Sequence, residues 1–232
     1  MSDLHGNAVA LDAVLRDARR VGFDRLVCLG DVATLGPRPT EVLARLKELG
    51  CSCLLGNHDE FMIAPQLVES YTPIPMLRAS VHGTRERLSA AELAFIGTWQ
   101  GTLDLGDVFL FHGTPRSNTE DLLVSTPDAV VDDALGGRNA LVFAGGHTHL
   151  QMLRQHRGML LVNVGSLGSP FREFAHRGPP VILAHAEYAI VEVEQGRASV
   201  DLRRVPLEKA ELAAQVDGWD NPLAPSLRAM YS

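Results

Sequence analysis

Residues 145–149 read Gly-Gly-His-Thr-His, so His147 and His149 stand one residue apart just after an apolar run at 141–144. A short turn there can send two imidazoles to two neighbouring positions, as adjacent metal ions require. Four further clusters of metal-competent side chains punctuate the chain: Asp3-x-His5, Gly30-Asp31, Gly56-Asn57-His58-Asp59 and His112-Gly113. Each opens the chain or closes an apolar run. Five of the nine histidines lie in these clusters, whereas His82, His156, His176 and His185 do not. Imidazole nitrogen mixed with carboxylate and amide oxygen suits Mn²⁺, Fe, Zn²⁺ or Co²⁺ and disfavours Cu(I) or iron–sulfur ligation. An aspartate at a strand end can bridge two such ions about 3.5–4 Å apart.

These clusters need a scaffold that brings distant residues to one crevice. Apolar positions Leu11, Val14, Leu15, Ala18 and Val21 fall on one helical face over 8–21, with Gly22 as a stop. "RLVCLG" and "CSCLLG" are short apolar runs that read as buried strands. Thr40 caps a second helix over 41–49, closed by Gly50. The rhythm helix–strand–helix–strand is that of parallel βαβ units, whose ligands gather beyond the carboxyl ends of the strands.

Residues 60–100 break the rhythm, with Pro65, Pro73, Pro75 and a capping box at Ser89 and Glu92, and read as a helical excursion over the sheet edge. Hairpins follow at Gly106-Asp107 and Arg157-Gly158, with a helix started by Thr126-Pro127 between them. Strand-like alternation fills 181–205, and 206–216 is helical in pattern. The tail at 206–232 ends in turn formers, with Trp219 and Tyr231 expected at the surface; it reads as packed along the body, with a dimer contact as the alternative.

The 232 residues are 46% hydrophobic and 21% charged, with net charge −7. That supports one sizeable core and a single domain over 1–232. The acidic balance disfavours nucleic acid and anionic membrane as general partners. No apolar run approaches the length of a membrane span. Cys28, Cys51 and Cys53 read as reduced thiols, and a cytoplasmic location is expected.

Taken in order, the five clusters resemble the pattern of the calcineurin-like metallophosphoesterase superfamily: D-x-H, G-D, G-N-H-[DE], a lone His, then G-H-x-H. Here they stand as "SDLHGN", "LGDVATLGP", "LLGNHDE", "LFHGTP" and "AGGHTH". "VNVGSLGSP" at 162–170 resembles a segment of the small bacterial branch of that family. The resemblance implies an α/β fold, a four-layer α/β/β/α sandwich of two mixed sheets flanked by helices. By position, Asp3, His5 and His149 would hold one metal, Asp31 would bridge, and Asn57, His112 and His147 would complete the second. His58, beside Asn57, would face the scissile phosphate and stabilise charge or protonate the leaving oxygen. The implied reaction is hydrolysis of a phosphodiester or phosphomonoester by a hydroxide bridging two divalent ions, Mn²⁺ foremost, with Fe, Zn²⁺, Co²⁺ or Ni²⁺ also fitting.

The partner expected is therefore a small phosphoester or nucleotide; a nuclease and a catalytically weak metal-binding scaffold are the competing readings. Asp59 reads as a capping group behind the ligands. Ser166 and Arg172 in "NVGSLGSPFR" are candidate phosphate contacts, against a plain glycine-rich turn, and Arg116 is a weaker one. Two departures stand out. The family places D-x-H at the end of a central strand, yet only Met1 and Ser2 precede Asp3 here, so a missing strand and loosely held Asp3 and His5 are expected. The arginines that follow the G-D and G-N-H motifs in the Ser/Thr protein-phosphatase branch are absent, which counts against a phosphoprotein substrate.

Overall fold

The computed structural model describes residues 1–175 and 180–232. The chain runs α1 (Ala8–Val21), β1 (Val27–Cys28), α2 (Pro39–Glu48), β2 (Ser52–Cys53), α3 (Asn57–Ile63), α4 (Leu67–Tyr71), α5 (Pro75–Arg87) and α6 (Ala90–Ile96). It continues β3 (Thr102–Asp104), β4 (Val108–Phe111), α7 (Asp128–Leu135), β5 (Val142–Gly145), β6 (Met152–His156) and β7 (Met159–Asn163). A long hairpin, β8 (His185–Glu194) and β9 (Arg197–Pro206), precedes α8 (Lys209–Val216) and α9 (Ala224–Tyr231).

Helix α1 has the expected bounds and buries Leu11, Val14, Leu15 and Ala18, whereas Val21 at its end is exposed, and Asn7 caps it by accepting the Ala10 N–H at 3.0 Å. The expected cap of α2 is corrected. Arg38 is the N-cap with no side-chain bond, Pro39 takes N1, and Thr40 falls inside the first turn. A proline at N1 starts a helix well because the N–H it lacks would have no partner there. The Ser89–Glu92 box forms as its spacing requires, with the Glu92 carboxylate accepting the Ser89 N–H at 2.7 Å.

A five-stranded mixed sheet has the order β3-β4-β5-β7-β6, its centre parallel and both edges antiparallel. Strand alternation separates its two faces. Phe109, Phe111, Phe143 and Leu161 pack under α7 with Val131 and Leu135. Leu110, Val142, Ala144 and Val162 point the other way, toward Leu29 and Leu54 and toward Ala189 and Val191 of β8. On its far face, β8 turns Ala186 and Tyr188 to α1. The layers are thus helices, a sheet of short pieces, the five-stranded sheet, and α7.

The expectation of loosely held ligands at the amino end is corrected. Met1–Asp3 run beside β1: the Met1 amino group donates to Val27 O at 3.0 Å, Leu29 N–H to Met1 O at 2.9 Å, and Asp3 N–H to Gly30 O at 2.9 Å. On the other side Leu167 and Gly168 N–H donate to Ser2 O and Asp3 O, both at 2.9 Å, and Glu187 N–H reaches Ser166 O at 3.0 Å. Met1–Asp3 thus lie between β1 and the segment at 166–168, and Asp3 and His5 are 0% and 1% exposed.

The surface placement of Tyr231 is also corrected. α9 folds back on α8, and Tyr231 is buried with Leu212, Val216 and Leu227. The three cysteines are free thiols. Among the described residues no helix is long and apolar enough to cross a membrane.

Candidate metal centre

Each cluster sits where a strand or extended segment ends. Asp3 and His5 follow the Met1–Asp3 run, Asp31 follows β1, Asn57 and His58 start α3 after β2, His112 follows β4, and His147 and His149 follow β5. The backbone is bent sharply at these points. Asp3, His5, Asp31, His147 and His149 all have φ between 45° and 69°. For residues with a Cβ that left-handed region costs of order 1–3 kcal/mol each, and it persists only where the surroundings over-determine it.

Two groups of ligand atoms converge. Asp3, His5 and His149 place theirs within 4.8 Å of one another, as do Asp31, His112 and His147. Asp31 lies between the groups: its Oδ2 is 3.9 Å from His5 Nε2 and 3.4 Å from His112 Nε2. Asn57 Oδ1 is 3.1 Å from His112 Nε2. All seven expected ligands thus share one crevice. His82, His156 and His185 pair with acidic side chains elsewhere, and His176 lies outside the described residues.

The tautomers decide what the crevice can hold. His5 Nδ1 lies 3.2 Å from Thr34 O, His149 Nδ1 2.6 Å from Ser169 O, and His112 Nδ1 2.8 Å from Leu29 O. A carbonyl only accepts, so each Nδ1 carries the proton and each neutral ring turns its Nε2 lone pair inward. His5 Nε2 and His149 Nε2 then face each other at 3.1 Å. Two lone pairs at that distance repel unless a proton or a cation lies between them. Asp3 Oδ1, 3.2 Å from His149 Nε2, and Asn57 Nδ2 are buried without a hydrogen bond among the described residues. Buried groups left in this way call for an ion or water. The donor set, neutral imidazole with carboxylate and amide oxygen, fits divalent cations.

Electrostatics follow the same geometry. Burial alone would raise the Asp3 carboxyl, but the facing His149 more than reverses that and holds it below the usual carboxylate range. Asp31 is depressed likewise, with His112 opposing the effect of burial. His5 falls to about 3 because burial disfavours its cation and His149 repels it. His112 is resisted by burial but carried up to about 10 by Asp31.

Supporting groups explain why the crevice keeps its shape. The Asp59 carboxylate accepts the N–H groups of Asp31 at 2.6 Å, Val32 at 2.9 Å and Gly56 at 3.1 Å, closing the turn that presents Asp31. Gly56 is required there, since a Cβ would meet Asp31 Oδ1 at 2.2 Å. His58 is half-buried, its Nδ1 2.8 Å from Thr34 Oγ1 and its ring edge-on to His5. His147 donates its N–H to Asp3 Oδ2 at 3.0 Å, and its Nε2 lies 3.4 Å from Asp121 Oδ1.

Ser166 is placed differently from the phosphate contact expected of it. It is fully buried, its hydroxyl donating to Asp3 O at 2.8 Å and accepting the Ser169 N–H at 2.8 Å. It holds the backbone that positions Asp3 and His149. Arg172 points outward, 60% exposed beside Glu173, and Arg116 is engaged by Glu120 and Asp133. Neither is brought to the crevice.

Sequence reasoning missed three residues. Thr34 touches both His5 and His58. Phe171 lies against His149 with ring centroids 4.2 Å apart. Tyr71, from α4, stands edge-on to His58 at 6.1 Å, its hydroxyl pushed up to about 12 by burial and then by Asp31 and Asp121. Phe171 adjoins the glycine-rich segment already noted, whereas nothing local marks Tyr71.

Comparison with known proteins agrees with this geometry. The family model for the calcineurin-like phosphoesterase superfamily domain matches residues 1–196. An uncharacterised protein of Methanocaldococcus jannaschii, MJ0912, is 26% identical over 171 residues, covering 72% of this chain and 68% of that protein. The crystal structure of a metallophosphoesterase from Sphaerobacter thermophilus superposes with a TM-score of 0.77 at 24% identity, over 100% of this chain and 96% of that one. The hypothetical protein PH1004 from Pyrococcus horikoshii gives 0.81 at 18% identity, over 100% and 95%. With the motif order, the four layers and two clusters of ligand atoms all in place, this chain belongs to the calcineurin-like phosphoesterase superfamily, a metal-dependent family.

Proposed function

We propose that the protein is a dimetal phosphohydrolase acting on a phosphodiester or phosphomonoester of a small molecule or nucleotide. The observation that carries this reading is the 3.1 Å approach of His5 Nε2 to His149 Nε2, with Asp31 placed between that pair and His112. Asp3, His5 and His149 would hold one ion, Asn57, His112 and His147 the other, and Asp31 both. Mn²⁺ is the first candidate, and Fe, Zn²⁺, Co²⁺ and Ni²⁺ fit the same donors. The ions would supply Lewis acidity toward phosphoryl oxygens and a water made acidic enough to attack near neutral pH.

The chain's own residues supply orientation and a proton. Backbone carbonyls of Thr34, Ser169 and Leu29 fix the tautomers of His5, His149 and His112, so ligation needs no reorganisation. His58 is set by Thr34 and by its own N–H, which donates to Asp31 Oδ1 at 2.9 Å. Its Nε2 remains to donate to the leaving oxygen. Phe61 and Tyr71 close over its ring and limit water there.

The test is hydrolysis of bis-p-nitrophenyl phosphate and p-nitrophenyl phosphate by metal-stripped protein, with Mn²⁺ or Zn²⁺ restored, beside Asp31→Ala and His58→Ala. Metal-restored turnover that disappears in Asp31→Ala is expected. Stoichiometric metal uptake with no turnover on either ester would replace this reading with a binding scaffold.

A further inference from the structure

The helical excursion at 60–100 sends one polar-tipped ring back to the metal centre. Tyr71 is the last residue of α4, beside side chains that serve the core: Val68 is 1% exposed, and Phe61 of α3 is 2% exposed. Tyr71 itself stays 41% exposed. Its ring rests on Phe61 with centroids 5.2 Å apart and stands edge-on to His58 at 6.1 Å. It is the outermost of a row of rings, since His58 lies 5.3 Å from His5, and His5 lies 4.9 Å from His149. A large aromatic with a polar tip, apolar on one side and open on the other, is suited to meet a ligand.

The backbone that presents Tyr71 is clamped from α5. Arg78 donates its Nε–H to Thr72 O at 2.6 Å and an Nη2–H to Glu69 O at 2.7 Å, and its Nη1 pairs with the Glu69 carboxylate at 2.9 Å. The two carbonyls bracket Tyr71 in the chain. Thr72 is buried, and its N–H donates to Val68 O at 3.2 Å. A side chain held in this way before a ligand arrives avoids part of the ordering cost of binding.

The surroundings of the hydroxyl assign it a chemistry. It faces the side-chain amide of Asn57, with the Asp31 and Asp121 carboxylates also acting on it. Asn57 Oδ1 is directed at His112 Nε2, and an amide nitrogen only donates, so Asn57 does not take the phenol proton. A phosphoester brings several anionic oxygens to the centre, and donors fixed in advance stabilise the charge on them. Arg116 and Arg172 do not reach the crevice, and the His58 Nε2 proton is assigned to the leaving oxygen. Tyr71 Oη is a further neutral donor at the crevice edge.

We propose that Tyr71 is a direct substrate contact, its hydroxyl donating to a phosphoryl oxygen of the ester, with Arg78 as the positioning residue that fixes the end of α4. This inference rests on the phosphohydrolase reading and names the residue through which the excursion takes part in it.

The experiment compares the full chain with Tyr71→Phe, Arg78→Ala and the double variant, all at saturating Mn²⁺. Binding of inorganic phosphate is measured by titration calorimetry, and hydrolysis of bis-p-nitrophenyl phosphate is followed in parallel. Tyr71→Phe keeps the ring on Phe61, so its melting temperature and Mn²⁺ titration should match the parent. Its phosphate affinity and its kcat/KM should each fall by about tenfold. Arg78→Ala should lose less, and should add nothing in the Tyr71→Phe background, because it acts through that hydroxyl.

Parent-like phosphate affinity and kcat/KM in Tyr71→Phe would overturn the inference and leave the hydrolase reading standing. A loss that tracks weaker Mn²⁺ binding and disappears at saturating metal would also overturn it, since Tyr71 would then act through Asn57. A parent that binds phosphate through Tyr71 but turns over no ester would support the contact and remove the hydrolase reading. A parent that neither binds phosphate nor turns over would overturn both.

Discussion

His5 Nε2 and His149 Nε2 approach to 3.1 Å although 144 positions separate them, and both rings are held by backbone carbonyls on their far sides. Held in this way, neither ring can turn to relieve the contact without leaving a buried N–H unpaired. The pair is preorganised to share a cation, or a proton in its place.

Metal removal should therefore cost stability as well as activity. A site filled at a thousand times its dissociation constant contributes about 4 kcal/mol to the folded state. The melting temperature of Mn²⁺-loaded protein should fall by several degrees on chelation and recover on re-addition, whereas His149→Ala, which keeps the second ligand group, should show a smaller fall. Scanning calorimetry with and without EDTA reads this directly, and identical transitions in the parent would rule out a structural contribution from the ions.

Asp59 makes no contact with either ligand group except through backbone, yet three N–H groups converge on its carboxylate. Asp59→Asn keeps the shape but supplies one acceptor oxygen where there were two. Loss of about 2 kcal/mol in denaturant unfolding is expected, with metal affinity reduced 10- to 100-fold because the turn presenting Asp31 loosens. Unchanged metal titration in this variant would mean that the Asp31 turn stands without its cap.

Ser166→Ala separates positioning from substrate contact. Losing the hydroxyl leaves the Ser169 N–H without its buried partner, while Asp3 O keeps only the Gly168 N–H, at a cost of about 1–3 kcal/mol. Weaker metal binding with KM unchanged at saturating metal is the expected split. A raised KM with normal metal affinity would instead make the hydroxyl a phosphate contact. Arg172→Ala, an exposed change, should alter neither quantity.

Asp17 joins α1 to the long hairpin: its Oδ2 accepts from Tyr188 Oη at 2.7 Å and from Arg203 Nε at 3.0 Å. The Arg203 bond first and the Tyr188 bond second hold its carboxyl below the ordinary value. The sign is that of a depressed acid. The native state keeps the carboxylate where the unfolded chain would protonate it, so the contribution is present above about pH 4 and is lost as pH falls through the lower native value. Asp17→Asn should cost about 1 kcal/mol at pH 7 and nothing once both states are protonated. Urea unfolding of both proteins at pH 7 and in strong acid checks the convergence.

Much of the centre was legible because ligand chemistry restricts residue type. Imidazoles and carboxylates recurring after apolar runs have few other uses, and the order of the five clusters survives whatever the sheet order is. α1 was equally legible, since Leu11, Val14, Leu15 and Ala18 mark one face without help from the rest of the chain. The α2 cap was misassigned because Thr40 and Pro39 both signal a helix start, and the proline's fixed φ took the earlier place.

The sequence alone determined which side chains could bind metal, in what order they come, and that helices and strands alternate around them. Only the tertiary structure decided which atoms of those side chains face inward. That choice rests on carbonyls 29, 83 and 20 residues away from His5, His112 and His149, supplied by other elements. It also decided that Met1–Asp3 run between β1 and the segment at 166–168, that Ser166 supports the backbone of Asp3, and that Tyr71 reaches His58. Local patterns encode periodicity and residue chemistry; partners across layers depend on how faces pack, and no spacing along the chain records that.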